Sequence, residues 1–153
     1  MTLVQKIGHV TGSDPNNYAQ EMMRLADKLG VGHVVDIQGF CDTPIDFLRR
    51  LDVYAFASIS EGFGIVLLEA MAEGLPIVAS NIYPINHIII DDETGILVSP
   101  TKPDEFAVAI MRLINDQTMK DRIGVAGMKR CRNEFTEQKT KCWLRLSSSI
   151  PTY

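Results

Sequence analysis

The segment ISEGFGIVLLEAMAEGLPIVAS, residues 59–80, decides how the chain is read. A polar loop with two glycines leads into a helix-length run from Gly64 to Glu73, Gly74 is placed as its stop, and Pro76–Ser80 follows as a strand. Inside the helical run Glu69 has apolar neighbours on both sides. An ionised carboxylate in such surroundings is costly unless something pairs with it, so Glu69 calls for a partner in protein, water or ligand.

Working outward, short apolar runs alternate with helical patterns, the signature of a parallel sheet with crossover helices. Strands are expected at Leu3–Val10, Val34–Phe40, Val53–Ala57, Pro76–Ser80 and Ile96–Val98. Between the first two, Tyr18, Met22, Leu25, Ala26 and Leu29 recur at helical spacing before Gly30. Thr43-Pro44 supplies an N-cap and a proline at the first position of a short helix that turns Ile45, Leu48 and Leu51 inward. A short helix over Ile85–Ile90 and a turn over Asp91–Gly95 follow. Further helices are expected over 103–115, 118–133 and about 136–148. With 153 residues, 46% of them hydrophobic, and no linker or repeat, the chain reads as one domain spanning 1–153.

Charge and cysteine usage exclude several classes. Residues 1–119 hold 7 Lys/Arg against 16 Asp/Glu, and residues 120–153 hold 8 against 3. The acidic body argues against nucleic-acid binding. The basic tail reads first as a solvated helix face, and second as a surface for peripheral contact with an anionic membrane. Cys41, Cys131 and Cys142 have no C-x-x-C spacing, so neither a disulfide framework nor a zinc site is indicated, and a reducing, cytoplasmic setting is expected. The opening MTLVQKIGHVTG lacks the apolar core of a signal peptide. No metal site and no cofactor are expected. Asp91-Asp92-Glu93 reads as a solvated turn, and His9, His33 and His87 have no visible catalytic partner.

The chemistry concentrates in the opening segment. Ligands of open α/β sheets bind outside the carboxyl ends of the strands, and the loop Ser58–Gly64 lies at such an end. Gly62 and Gly64 let backbone approach a ligand closely, and free N–H groups of Gly64, Ile65 and Val66 at a helix start would suit a phosphate or diphosphate. Glu61 and Glu69, with seven residues between them, would accept hydrogen bonds from hydroxyls on either side of that diphosphate. The plainer alternatives are that Glu61 is a first-turn acid favoured by the helix dipole and that Glu69 pairs with a buried N–H or a neighbouring cation.

The run Glu61–Ser80 resembles the E-x7-E signature of the family-4 retaining glycosyltransferases, enzymes of the GT-B fold. Gly12-Ser13-Asp14-Pro15, Gly39-Phe40 and Thr94-Gly95-Ile96-Leu97-Val98 extend the likeness. Where the family has a glycine pair followed by Pro-Glu, this chain has Tyr83-Pro84-Ile85-Asn86-His87. The resemblance implies an α/β, three-layer Rossmann-like parallel sheet, the nucleotide-sugar-binding C-terminal half of a GT-B fold lacking its first βα unit. It implies Glu61 as the catalytic residue against the donor sugar, Gly62, Phe63, Gly64, Ile65 and Val66 on the diphosphate, Glu69 on the ribose, and the base against Phe40 and Cys41. The expected partners are a nucleotide sugar and an acceptor held by an N-terminal domain upstream, and the expected function is retaining transfer of a sugar to a hydroxyl, with the isolated chain inactive. A bare sheet edge would allow self-association. A non-catalytic module of the same fold and a sugar-nucleotide epimerase stay open as alternatives.

Overall fold

The computed structural model of the chain describes residues 7–10, 18–38 and 43–135. These fall into two compact units that divide after Pro44. The predicted helix at 136–148, the Gly12–Pro15 turn, Phe40 and Cys41 lie outside the described residues.

In the first unit, β1 (Ile7–Val10) pairs in parallel with β2 (Val35–Gln38), Ile7 opposite Val35 and Val10 opposite Gln38. The helix between them, α1 (Tyr18–Lys28), ends at Gly30, where the Val31 N–H reaches back to the Ala26 carbonyl, and a 3-10 turn at Gly32–Val34 leads into β2. Of the predicted apolar stripe on α1 only Ala26 is buried, while Tyr18, Leu25 and Leu29 are exposed. Helical spacing found the helix and not its burial, because a two-stranded sheet is too narrow to cover a whole helix face.

From the boundary at α2 (Pro44–Leu48) onward, the second unit carries β3 (Tyr54–Phe56), α3 (Ile65–Ala72), β4 (Ile77–Ser80), α4 (Ile85–Ile88), β5 (Ile96–Val98), α5 (Pro103–Asn115) and α6 (Gln117–Glu134). The strands form a parallel sheet in the order β3-β4-β5. Central β4 is buried along its whole length. Its alternating side chains divide the core: Ile77 and Ala79 join Leu67, Met71, Ile85 and Ile88 on one face, and Val78 joins Ile96, Phe106, Leu113 and Ile123 on the other. Helices α3 and α4 therefore cover one face and α5 the other, the three layers expected from the sequence. Each fully buried Leu, Ile or Met contributes roughly 1.5–3 kcal/mol.

Helix α6 lies against α3 and α5. It can come this close because Gly124 and Gly127 carry no side chain where it passes the Gly74 carbonyl and the Thr94 carbonyl. Gly74 itself, at φ +72°, ends α3 and lets the Leu75 N–H return to the Ala70 carbonyl. The Asp116 carboxylate caps α6 by accepting the Met119 N–H at 2.9 Å. No described helix is long and apolar enough to cross a membrane.

A Cβ on Gly124 would drive into the backbone oxygen of Gly74. Gly124→Ala is expected to cost about 1–3 kcal/mol by forcing α6 off α3. Urea unfolding followed by far-UV circular dichroism checks this, and an unchanged midpoint would contradict the close packing.

Candidate functional site at the start of α3

Beyond the carboxyl end of β3 the chain must turn back to begin α3, and Gly64 makes that turn at φ +74°. A side chain here would be strained by the backbone and would stand 3.2 Å from Leu67 Cδ1 and 3.3 Å from Ile88 Cδ1, so only glycine fits without rearrangement. At Gly62 an added Cβ would meet open space, so no protein neighbour demands that glycine. The Ser58 hydroxyl donates to the Ser60 carbonyl at 2.7 Å and tightens the approach.

Glu61 folds back over the turn. Its Oε1 accepts the Gly62 N–H at 2.9 Å and the Gly64 N–H at 3.3 Å. This corrects one expectation: the Gly64 amide is not free. The nearest strong acceptor, three residues upstream, fills the cap position that a ligand phosphate would use. The Ile65 and Val66 N–H groups find no acceptor among the described residues, as expected for the first helical positions. Ile65 is exposed, Val66 is half-buried, and Phe63 packs against the core beneath.

Glu69 is half-buried in the middle of α3, and its carboxylate has no hydrogen bond or ion pair among the described residues. The plainer reading, a protein partner for Glu69, finds no such partner among the described residues. Its electrostatic neighbour is Tyr54 at the start of β3, within the strand expected over Val53–Ala57. Burial first, then the charges of Glu69 and Glu61, push the Tyr54 phenol from its ordinary value near 10 up to about 12. Two carboxylates on different elements thus act on one phenol.

Several of the other acids are engaged within the protein. Arg49 holds Glu73 with contacts of 2.7 and 3.4 Å. Asp91 accepts the Leu97 N–H at 2.8 Å, and Arg112 and Arg122 reach Asp92 across the same turn, so Asp91–Gly95 is a structural turn as expected. Among the described residues no three His, Cys, Asp or Glu side chains are grouped to hold a metal. His87 is exposed on α4, its ring edge-on to Tyr83 at 5.3 Å. The Cys131 thiol donates to the Leu68 carbonyl at 3.4 Å, and burial pushes its pKa up, which suits packing rather than attack. Ser80, at the carboxyl end of β4, is buried with its hydroxyl unpartnered among the described residues. Surface hollows over α5 and between Leu51, Gly74 and Lys120 contain neither Glu61 nor Glu69.

A parallel three-layer sheet with its loop chemistry at a strand's carboxyl end defines the class, and comparison with known proteins fixes the family. The sequence profile described as "Glycosyl transferases group 1" matches residues 8–130. The chain belongs to the group 1 glycosyltransferases. It is 34% identical over 110 residues to the capsular polysaccharide biosynthesis glycosyltransferase CapM of Staphylococcus aureus, an alignment that takes in 72% of this chain and 28% of CapM. The chain spans well under half the length of the curated relatives it matches. The C-terminal domain of the group 1 glycosyltransferase LpcC from Francisella tularensis superposes with a TM-score of 0.74 at 28% identity, covering 82% of this chain and 67% of that one. Anabaena Alr3699/HepE, crystallised with UDP-glucose, shares the fold with a TM-score of 0.81 at 24% identity, over 92% of this chain and 40% of that one. The fold is that of the C-terminal half of GT-B glycosyltransferases.

The raised Tyr54 pKa has a signed consequence. The unfolded phenol ionises near pH 10 and the folded one near pH 12, so folding stability contributed by this residue is complete below pH 10 and is lost as pH rises toward 12. Absorbance at 295 nm should show one tyrosine still protonated at pH 11, and Tyr54→Phe should remove that late step. A Tyr54→Phe titration identical to wild type would contradict the burial of Tyr54 beside the two carboxylates.

Proposed function

We propose that this chain is the donor-binding part of a retaining glycosyltransferase, which moves a sugar from a nucleoside diphosphate to a hydroxyl acceptor in glycan, polysaccharide or glycolipid synthesis. The observation that carries the reading is Glu69, a half-buried carboxylate without a partner among the described residues, set about one turn along a helix whose Ile65 and Val66 amides also find no acceptor there. Vicinal ribose hydroxyls would supply the donors that Glu69 lacks, and the diphosphate would take the amides of Gly64, Ile65 and Val66. Because Glu61 holds the Gly64 N–H, donor binding would exchange that bond: phosphate oxygen onto the amide, Glu61 onto a hydroxyl of the sugar.

In this reading the bond from the anomeric carbon to the phosphate oxygen breaks while the acceptor oxygen joins the same face, and the departing phosphate takes the acceptor proton. No cofactor or metal is invoked. The acceptor would be held by a separate domain of the whole protein, since effective transfer needs both substrates oriented together. The name of CapM supports polysaccharide synthesis as the direction, and HepE, with UDP-glucose bound, supports a sugar nucleotide on this fold. One observation favours the second reading, a non-catalytic binding module: the Glu61 carboxylate is already used inside the loop. Sugar transfer by the full-length protein separates the two.

Losing the ribose hydrogen bonds removes charge-assisted contacts that contribute about 1.5–3 kcal/mol each, so Glu69→Ala is expected to weaken nucleotide binding by roughly 10–100-fold. Calorimetric titration with UDP, GDP and ADP measures this, and thermal unfolding verifies that the variant stays folded. Equal affinities for wild type and variant would refute the ribose assignment.

A further inference from the structure

Arg130, near the end of α6, sits 42 residues from the short helix α4 and yet holds it. Its Nε donates to the Ile88 carbonyl and one terminal nitrogen to the His87 carbonyl, both at 3.0 Å. The other terminal nitrogen pairs with Glu134 at 3.0 Å, and the guanidinium stands 5.6 Å from the Phe135 ring centre. All three nitrogens are therefore engaged within the protein, which excludes Arg130 as a free cation waiting for a diphosphate. The two carbonyls are among those a helix C-terminus leaves unpaired, and a largely buried guanidinium fork is suited to hold both at once.

What Arg130 holds bears on the loop. Ile88, buried on α4, fills the space beside the Gly64 α-carbon: its Cδ1 is where a side chain on Gly64 would collide. Gly64 in turn gives its N–H to Glu61. A contact chain thus runs from α6 through α4 to the turn that starts α3. The next residue along α6, Cys131, bonds the Leu68 carbonyl and fixes α3 from the same side. We propose that Arg130 is a positioning residue for the donor loop: holding α4 keeps Ile88 against Gly64 and keeps the Glu61–Gly64 turn in one geometry. The proposal rests on the reading of that loop as the donor site only for its functional meaning, since the contact chain exists without ligand.

The test is amide-proton exchange with solvent, followed by NMR on the full chain without ligand, in wild type, Arg130→Met, Arg130→Lys and Ile88→Val. Arg130→Met removes both carbonyl bonds, Arg130→Lys cannot reproduce the fork, and Ile88→Val removes Cδ1 while leaving every Arg130 bond in place. The Gly64 amide is expected to exchange about tenfold faster or more in Arg130→Met and Ile88→Val, with core amides such as Met71 and Leu113 unchanged. Where Arg130→Met does not fold, Arg130→Lys is read in its place. Unchanged Gly64 exchange in the folded Arg130 variant and in Ile88→Val overturns the proposal. A parallel titration with UDP, GDP and ADP separates the two claims: wild type that binds none of them while Gly64 responds as expected refutes the donor reading and keeps the positioning role.

Discussion

The left-handed turn at Gly64 is the constraint on which the rest of the site depends. It reverses the chain between the half-buried parallel strand β3 and the helix that must pack back over the sheet, in a space bounded by Leu67 and Ile88. A β-carbon would be penalised twice, once by the backbone angle and once by those two side chains. Because the turn is tight, the Glu61 carboxylate can reach the amides one and three residues ahead, and α3 starts with its next two N–H groups unpartnered among the described residues. The anion-favouring helix start and the acid that occupies part of it arise from the same glycine.

The core explains why this loop can be held so closely. Strand β4 is buried on both faces, so α3, α4 and α5 are all anchored to one apolar plank. Helix α6 then closes on α3 through Gly124 and Gly127, near enough for Arg130 and Cys131 to bond backbone atoms of α4 and α3. A charged side chain would be an expensive occupant of such a core. Glu69 avoids that cost by lying half-buried on the helix, and it is left with Tyr54 as its electrostatic neighbour rather than a cation.

Much of this was legible in the sequence where a local physical rule decides it. Pro103 at the start and the Phe106, Ala109, Leu113 spacing mark α5 to the residue, Gly74 marks the end of α3, and Ile96–Val98 is β5 as expected. The loop and its two acids also stand out, because a carboxylate within an apolar run breaks the pattern. Contacts set by tertiary structure were not legible. The bond from Glu61 to the Gly64 amide depends on a backbone angle that composition does not reveal. Tyr54 looks like any aromatic strand residue, and Ser80, whose hydroxyl has no partner among the described residues, looks like any strand end. Arg130 and the carbonyls it holds are too far apart in sequence for any periodicity to join them. The exposed stripe on α1 shows the converse, a periodic signal that names the helix without naming what covers it.

The most direct test of the account is an amide chemical-shift titration of the wild-type chain with UDP-, GDP- and ADP-sugars. The account predicts that one of them shifts Gly62, Gly64, Ile65, Val66 and Glu69 together, the Gly64 signal most as its partner changes from Glu61 to phosphate. Shifts centred elsewhere in a folded chain, or none with any of the three, would contradict the assignment of the α3 start as the donor site.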